Sequence, residues 1–336
     1  MAVTPDPEQG NGAAWPDELA GAFANAVTAE FAGLTRMGAP VTVPTTPYVG
    51  DATLDLCTGL TYPTKAERAR RNPKVALLFG DPVGSPLVRP PVVAVQGLAA
   101  VRDRDLQANA DRYVRDSQAK LPGATKGQPR FVLRKMAWYY ARIWVEITPV
   151  RVLWWPDRDL AAEPREWTKP GEIVAPASDP SPAGRPPPAW TDPPSSWREE
   201  ASYALASLPW CDVTVVDGDG YPLCLPVARV EADPAGFVLH VGAGAPPLTG
   251  GPACVTFHDH ADTFTGQENR TFVGRLSPDD GTFVVERALA HWSLAGGRPG
   301  VAKEFLASGW RLRGRLRAEA ARRGQPVPTV RFPGEY

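Results

Sequence analysis

The chain has 336 residues, a length that favours two domains of ordinary size over one. Hydrophobic residues make up 43% and charged residues 22%, as in a soluble globular protein with a substantial core. The formal net charge of −1 excludes a general electrostatic attraction to nucleic acid or to an acidic membrane, so any recognition of anions has to be local.

Predicted elements of the first half alternate between helical and strand patterns. Apolar residues recur at three- or four-residue spacing from 17 to 34, after Pro16, which predicts an amphipathic helix. The pattern then predicts a strand pair at 40–49 and 53–57 joined by a turn at 50–51, strands at 74–79 and 92–100, a helix at 103–121, and strands at 139–147 and 150–155 on either side of the Thr148-Pro149 step.

A proline-rich stretch separates this half from the next. Residues 161–198 contain ten prolines, a composition that predicts an extended, semi-stiff linker without regular elements. The expected division is a disordered N-terminus (1–16), a first β-barrel domain (17–160), a linker (161–195), a second and divergent β-barrel domain (196–325) and a C-terminal tail (326–336).

The second half opens with Ser-Trp-Arg-Glu at 196–199, a capping-box pattern that predicts a helix to about residue 207. A long basic helix is predicted at 300–323. Between these two helices the alternation predicts strands at 211–217, 221–230, 237–241, 253–258, 271–276 and 282–292.

The two halves look like one unit used twice. GAPVTVP at 38–44 and GYPLCLP at 220–226 share the pattern G-x-P-apolar-x-apolar-P, each after a helix pattern and each opening a strand. Similar strand endings follow in the same order behind both copies. The predicted fold class is therefore mainly β (α+β), with two tandem β-barrel domains and flanking helices.

One segment of the first half has the composition of an anion site. Thr64 and Glu67 form a T-x-x-E capping box, so the start of a short helix would present free N–H groups beside Thr58, Thr61 and Lys65. An alternative is a capped surface helix with solvated Lys65, Arg68, Arg70 and Arg71. The second half replaces this helix with GAGAPPLTGGP (242–252), which has no basic residue.

The segment TGLTYPTKAERARRNPKVALLF at 58–79 resembles the phosphate-binding segment of the split β-barrel flavoproteins, the pyridoxamine 5'-phosphate oxidase-like superfamily. Gln96-Gly97 and the late strand ARIWVEITPVRVLWW (141–155) belong to the same resemblance, which spans 17–155, and 196–322 looks like a divergent second copy. The strand VTVPTTPY lacks the arginine of true pyridoxamine phosphate oxidases, so vitamin B6 oxidation is not implied.

The resemblance implies FMN or the deazaflavin coenzyme F420, held between two barrels that in this family usually come from a homodimer. Here both barrels lie in one chain, which implies an intramolecular pseudo-dimer and a monomer in solution. The cofactor-binding residues that the resemblance implies are Thr64 and Lys65 on the phosphate, Thr58 and Thr45 on the ring or ribityl chain, Arg68 and Gln96 as neighbours, and His258, His260, Arg270 or Trp292 over the ring from the second barrel.

The implied function is an FMN- or deazaflavin-dependent oxidoreductase that acts on a small-molecule substrate by hydride or electron transfer. No general acid or base is assigned. The alternatives are a non-catalytic flavin- or haem-binding protein on the same fold and a structural interaction module with an empty groove. A cytoplasmic protein without nucleic-acid or membrane partners is expected, because residues 1–19 lack a signal-peptide pattern and no run reaches the length of a membrane span.

The segment HDHAD at 258–262 leaves a metal open as an alternative. Residues i and i+2 of a strand face the same side, so His258 and His260 could converge on a metal or haem iron. Spacing fixes no third ligand, and the sequence predicts a flavin contact or a polar strand end here and no metal site. The four cysteines form no C-x-x-C pair and are expected to be buried thiols.

Overall fold

The protein is described by a computed structural model over residues 14–123, 129–185, 193–262, 266–291 and 298–334, with the backbone alone for 298–308 and 310. Most of the expected disordered N-terminus therefore lies outside the described residues. A short 3-10 helix, Asp17–Leu19, leads into α1, Ala20–Asn25.

The predicted helix from 17 to 34 is wrong in its second half. The chain turns at Ala26 and continues as strand β1, Ala29–Leu34, in which all six residues are buried. Because both faces of this strand are covered, its apolar residues show no alternation, and spacing alone does not separate such a strand from a buried helix.

The first barrel contains strands β1 to β7 with helices inserted between them. Strand β2 is Pro40–Thr45, β3 is Pro47–Val49, β4 is Leu54–Gly59, α2 is Thr64–Arg71, β5 is Lys74–Phe79, β6 is Val92–Arg102, α3 is Leu106–Lys120, α4 is Arg130–Leu133, α5 is Ala137–Tyr140 and β7 is Arg142–Trp155. Strand β7 is continuous where a break was predicted at Thr148-Pro149, and the register shift opposite Gln96 and Gly97 accommodates the proline.

The second barrel follows the linker and is closed. Helix α6 is Trp197–Ser207, β9 is Trp210–Val216, β10 is Pro222–Asp233, β11 is Gly236–Val241, β12 is Gly251–Asp259, β13 is Glu268–Leu276, β14 is Thr282–Ala288 and α7 is Arg298–Arg322. The predicted cap of α6 is confirmed, since the Ser196 hydroxyl accepts from the backbone N–H of Glu199.

Both barrels have the same order of paired strands. The first runs β2-β1-β5-β6-β7-β4-β3, and the second runs β10-β9-β12-β13-β14-β11 before closing on β10. Strands β2 and β3, interrupted at Thr46, thus take the place of the single strand β10. Gly38 and Gly220, the first residues of the shared seven-residue pattern, have φ values of 76° and 78°, a conformation that favours glycine.

The linker lies along the first barrel, and its described residues contain one short strand, contrary to the prediction. Strand β8, Arg165–Thr168, pairs with β7. Further on, the carboxylate of Asp179 accepts from the backbone N–H groups of Asp103 and Arg104. These backbone bonds explain why a proline-rich segment is held in place over the described part of its length.

The C-terminal helix and the segment after it pack on the first barrel. Leu312, Leu316 and Ala320 of α7 belong to the core of the first barrel, and Val330 and Phe332 are buried beside α3 and α5. Among the described residues, none of the helices combines the length and the apolar surface that crossing a membrane would require.

The barrels meet through an interface that is apolar in one region and polar in another. The outer face of β1, β5, β6 and β7 shares a core with the second barrel. Beside it, the hydroxyls of Thr42 and Thr214 lie 2.6 Å apart, and the amide of Gln96 donates to Asp217 Oδ2 (2.6 Å) and to the carbonyl of Pro222 (3.1 Å).

Candidate functional site

The candidate anion site lies where β4 leads into α2. Helix α2 begins at Thr64 itself, with Pro63 before it and no side chain capping the free N–H groups, so the predicted Thr64–Glu67 capping box is wrong. A proline in that position has φ near −65°, which is already suited to a helix start. Uncapped N–H groups at the positive end of α2 remain as donors for an anion.

Three positively charged side chains around this helix start have no carboxylate partner in the part of the chain that the structure describes. They are Lys65 and Arg68 of α2 and Arg142 of β7, all half-buried. Arg70 on the same helix shows the ordinary arrangement instead, because it pairs with Asp103 at 2.7 Å. Unpaired cations held away from water favour a bound anion.

Gly59, the last residue of β4, leaves space between the side chains of Arg142 and Thr61. A Cβ atom at Gly59 would lie 3.6 Å from Arg142 Nη1 and 3.7 Å from Thr61 Oγ1. Thr61 is fully buried, and its hydroxyl has no hydrogen-bond partner among the described residues. The Thr61 hydroxyl and the Arg142 guanidinium thus lie on either side of Gly59, and an oxyanion bound there could accept hydrogen bonds from both.

The surroundings of Lys65 shift the pKa of its ammonium group strongly. Burial, together with the nearby positive charges of Arg142 and Arg68, lowers this pKa to about 8, against the effect of Cys57. Burial also lowers the pKa of Arg68. The negative charge of a bound anion would oppose both shifts.

The other predicted residues of the first barrel lie in different surroundings. Thr45 is buried at the end of β2, and the Thr58 hydroxyl donates to the Tyr62 carbonyl at 2.8 Å. Thr64 is exposed at the helix start. Gln96 is engaged by Asp217 and Pro222 across the interface, which makes it a link between the barrels.

His258 and His260 lie in a separate buried cluster between the barrels. His258 Nε2 is 3.0 Å from Glu30 Oε1 and 3.3 Å from Asp212 Oδ2, while His260 Nε2 is 3.1 Å from Asp81 Oδ2. Although burial disfavours the charged imidazole, Glu30 and Asp212 raise the pKa of His258 well above its usual value. Burial and the charge of Glu30 raise the pKa of Asp212 to about 7.

The two clusters are distinct places on the interface. Arg68 packs beside Gly33 of β1, where an added Cβ would lie 3.9 Å from Arg68 Cβ. Glu30, the partner of His258, lies three residues away along β1, or about 10 Å at the rise of a strand. The histidines are therefore not direct neighbours of the helix start.

Arg270 lies in a third region, under α6. It forms ion pairs with Glu200 and with Glu268, the latter at 2.9 Å, and its guanidinium lies over the ring of Tyr203. Trp292 lies outside the described residues, so its predicted place over the ring stays a prediction.

Several residues of these sites were missed from the sequence. Arg142 opens a strand of apolar residues and pairs in register with Gly59, and a lone arginine in such a strand was the available signal. Arg315 of α7 donates to the Thr61 carbonyl, a contact from 254 positions away that no local pattern indicates. Glu30 was hidden within the segment predicted as a helix.

The known proteins similar to this chain are solved structures of low sequence identity. No family model matches the chain, and no curated protein matches it. Among solved structures the chain is similar to an F420 reductase, with 16% identity over 41% of this chain and 98% of the other, and a TM-score of 0.32. It is similar to a conserved hypothetical protein from Mycobacterium tuberculosis, with 21% identity over 48% of this chain and 92% of the other, and a TM-score of 0.34. It is also similar to a protein related to general stress protein 26, of the pyridoxinephosphate oxidase family, from Clostridium acetobutylicum, with 14% identity over 42% of this chain and 85% of the other, and a TM-score of 0.28.

Each of these structures covers less than half of this chain, while 85% or more of its own length is matched. At these identities and TM-scores no activity and no residue role is transferred. The mainly β fold rests on the two rings of strands described above, a closed six-stranded barrel and a curled sheet of the same strand order.

Proposed function

We propose that the chain is an oxidoreductase that binds the phosphate of FMN, or of the deazaflavin coenzyme F420, at the start of α2. The observation that carries the proposal is the set of three half-buried cations, Lys65, Arg68 and Arg142, without a carboxylate partner among the described residues. With the free hydroxyl of Thr61 and the room over Gly59, these groups fit a phosphate.

The residues of the site would hold and orient the cofactor. The N–H groups at the start of α2 and the Thr61 hydroxyl would donate to phosphate oxygens, while Arg142 and Lys65 neutralise their charge. Lys65 would keep its proton in the complex, because a neighbouring dianion raises the pKa of a lysine. Arg315, which holds the Thr61 carbonyl from α7, fixes the loop between β4 and α2.

When bound, a flavin or deazaflavin supplies hydride transfer at its ring, and the protein contributes orientation and exclusion of water. The second barrel packs against the outer face of the first and would form the opposite wall. The substrate class proposed is a small organic molecule that exchanges a hydride or electrons with the ring.

A comparison of FMN with riboflavin tests the phosphate site directly. The two ligands share the ring and ribityl chain and differ only in the phosphate, so a phosphate site predicts much tighter binding of FMN. Fluorescence titration of wild type and Lys65→Ala should show the preference for FMN reduced by roughly 30-fold or more, the equivalent of about 2 kcal/mol for a charged hydrogen bond.

Arg71→Ala is the matched control. Arg71 lies on the same helix, is exposed, and contacts only the Leu34 carbonyl at 3.4 Å among the described groups, so its removal changes the net charge equally and leaves the site intact. Equal binding of FMN and riboflavin by wild type, or equal loss in both variants, would contradict the proposal. The same titration with coenzyme F420 decides between the two cofactors, and absence of turnover in the loaded protein would favour a non-catalytic binder.

A further inference from the structure

The cluster between the barrels brings together three potential metal ligands from three strands. Glu30 belongs to β1 of the first barrel, and Asp212 and His258 belong to β9 and β12 of the second. The donor atoms of all three lie within 4.8 Å of one another. Exposed fractions of 0%, 4% and 2% place the cluster away from water.

The carboxylates of this cluster lack the hydrogen bonds that a buried carboxylate requires. Among the described residues, no well-aligned hydrogen-bond donor serves either oxygen of Glu30 or Oδ2 of Asp212, and only the His258 ring nitrogen forms an ion-pair contact with them. An ionised carboxylate has about four acceptor positions, and in protein interiors nearly all such groups are satisfied. His258 Nε2 lies near Glu30 Oε1 and Asp212 Oδ2, but one ring nitrogen cannot satisfy three carboxylate oxygens. The oxygens left over favour a cation at this position.

The spacing of the donor atoms matches the first coordination sphere of a small divalent ion. His258 Nε2 lies 3.0 Å from Glu30 Oε1 and 3.3 Å from Asp212 Oδ2. Ligand atoms bound at about 2.0–2.2 Å and separated by angles of roughly 90–110° lie about 3.0–3.5 Å apart. The oxygens of Glu30 and Asp212 lie within 4.8 Å of each other, so a modest approach of these two side chains would bring all three atoms onto one ion.

A further carboxylate, that of Asp81, lies on the other side of the His258 ring. Asp81 Oδ2 lies 3.7 Å from His258 Nδ1, the ring nitrogen that faces away from Glu30 and Asp212, and 3.1 Å from His260 Nε2. A histidine ligand commonly directs its second nitrogen to a carboxylate. At 3.7 Å, Asp81 is too far for a hydrogen bond to Nδ1 but lies on the side where such a partner is needed. His258 would thus be the metal ligand, with Asp81 and His260 beyond it.

We propose that a divalent first-row transition ion of the zinc class binds Glu30, Asp212 and His258 and joins the two barrels. Two carboxylates and a neutral imidazole carry a charge of about −2, which such an ion balances. Imidazole among the ligands favours zinc, cobalt or iron over magnesium or calcium. With Glu30 bound through both oxygens, of which Oε2 also lacks a donor among the described residues, the ion would have four protein ligand atoms and a structural role.

The competing explanation is that Glu30, Asp212 and His258 are held together by shared protons alone, without a metal ion. In that case His258 would be a permanent imidazolium between the two carboxylates, and added metal would find no place. The two explanations predict the same fold, but they predict different amounts of bound metal, so the metal content of the purified protein distinguishes them.

The experiment is elemental analysis of the full chain, expressed in medium supplemented with zinc chloride and purified in metal-free buffer. We expect about one zinc per chain in wild type and less than about 0.1 in Glu30→Gln and Asp212→Asn, which keep the shape of the side chains. Asp217→Asn is the matched control, since Asp217 also joins the barrels, through Gln96, outside the cluster. This control should keep the zinc.

Cobalt provides a readout that does not depend on the variants folding. Wild type expressed with cobalt chloride should show visible d–d absorption, and its melting temperature should fall when the chelator dipicolinate is added during heating. Wild type that contains less than about 0.1 zinc or cobalt per chain and melts at the same temperature with the chelator would overturn the proposal. Equal zinc in wild type and Glu30→Gln would overturn it as well.

Discussion

The first and second barrels have the same ring of strands and differ in the connections between equivalent strands. Between β4 and β5 the first barrel contains α2 with its unpaired cations, whereas the equivalent connection of the second barrel, between β11 and β12, is a loop without a basic residue. Between β6 and β7 the first barrel inserts three helices where the second has a short turn. A duplicated framework thus carries the anion site once.

In the second barrel, the start of the linker occupies the space beside the loop between β11 and β12. Gly244 donates its backbone N–H to the Leu160 carbonyl at 3.1 Å, and a Cβ at Gly244 would lie 1.9 Å from the Ala162 carbonyl oxygen. An anion cradle of backbone N–H groups would need this space. The difference teaches that the same strand order supports a ligand site or a packing surface, depending on the connection.

The largest expected effect is on binding stoichiometry and affinity. We expect one FMN or coenzyme F420 per chain by titration calorimetry, because the second loop lacks a cation and should bind more weakly by about 1–3 kcal/mol or not at all. Thr249→Ala, which changes the only side-chain hydroxyl of that loop, should leave the affinity unchanged, whereas Lys65→Ala weakens it. Two equivalent tight sites per chain would break the comparison.

A second effect concerns the packing of the loop. Gly244→Ala should lower the free energy of unfolding by about 1–3 kcal/mol, because the added methyl overlaps the linker backbone. Gly218→Ala is the control, since no atom lies within 4 Å of its added Cβ. Denaturant unfolding of both variants measures the difference, and equal stability of the two would show that the linker does not press on this loop.

A smaller effect is the pH dependence of cofactor affinity. Burial lowers the pKa of Lys65 to about 8, so the free protein carries this charge below pH 8 and loses it above. Since the phosphate binds the charged form, affinity for FMN should fall as pH rises above 8, by at most about tenfold per pH unit. Lys65→Arg keeps its charge throughout and should give a flatter profile. Parallel profiles for the two proteins would argue against Lys65 as the titrating group.

The smallest effect is expected on assembly. Because both barrels are present in one chain and cover each other's faces, we propose a monomer, and light scattering should give the mass of a single chain with or without FMN. A stable dimer would mean that a further barrel face is used, and the comparison would then have to include contacts between chains.

Much of the fold could be predicted from the sequence because the relevant signals are local. Alternation of apolar residues located most strands, with β5 and the end of β11 at their predicted positions, and the Ser196 pattern located the start of α6. The glycines of the repeated motif were found for the same reason, since a turn with φ near 77° depends on one residue type. Strand β1 was missed because a strand buried on both faces has no alternation.

The sequence by itself determined the residue types of the anion site: a glycine-ended strand, threonines, and a basic helix stopped by Asn72-Pro73. Only the tertiary structure decided which of the cations lack a partner, because Asp103 reaches Arg70 and no described carboxylate reaches Lys65. Likewise, two histidines at i and i+2 were visible in the sequence, but the carboxylates of Glu30 and Asp212 come from strands far apart in the chain. Pairing of strands across two barrels brings such groups together, and that information is distributed over the whole fold.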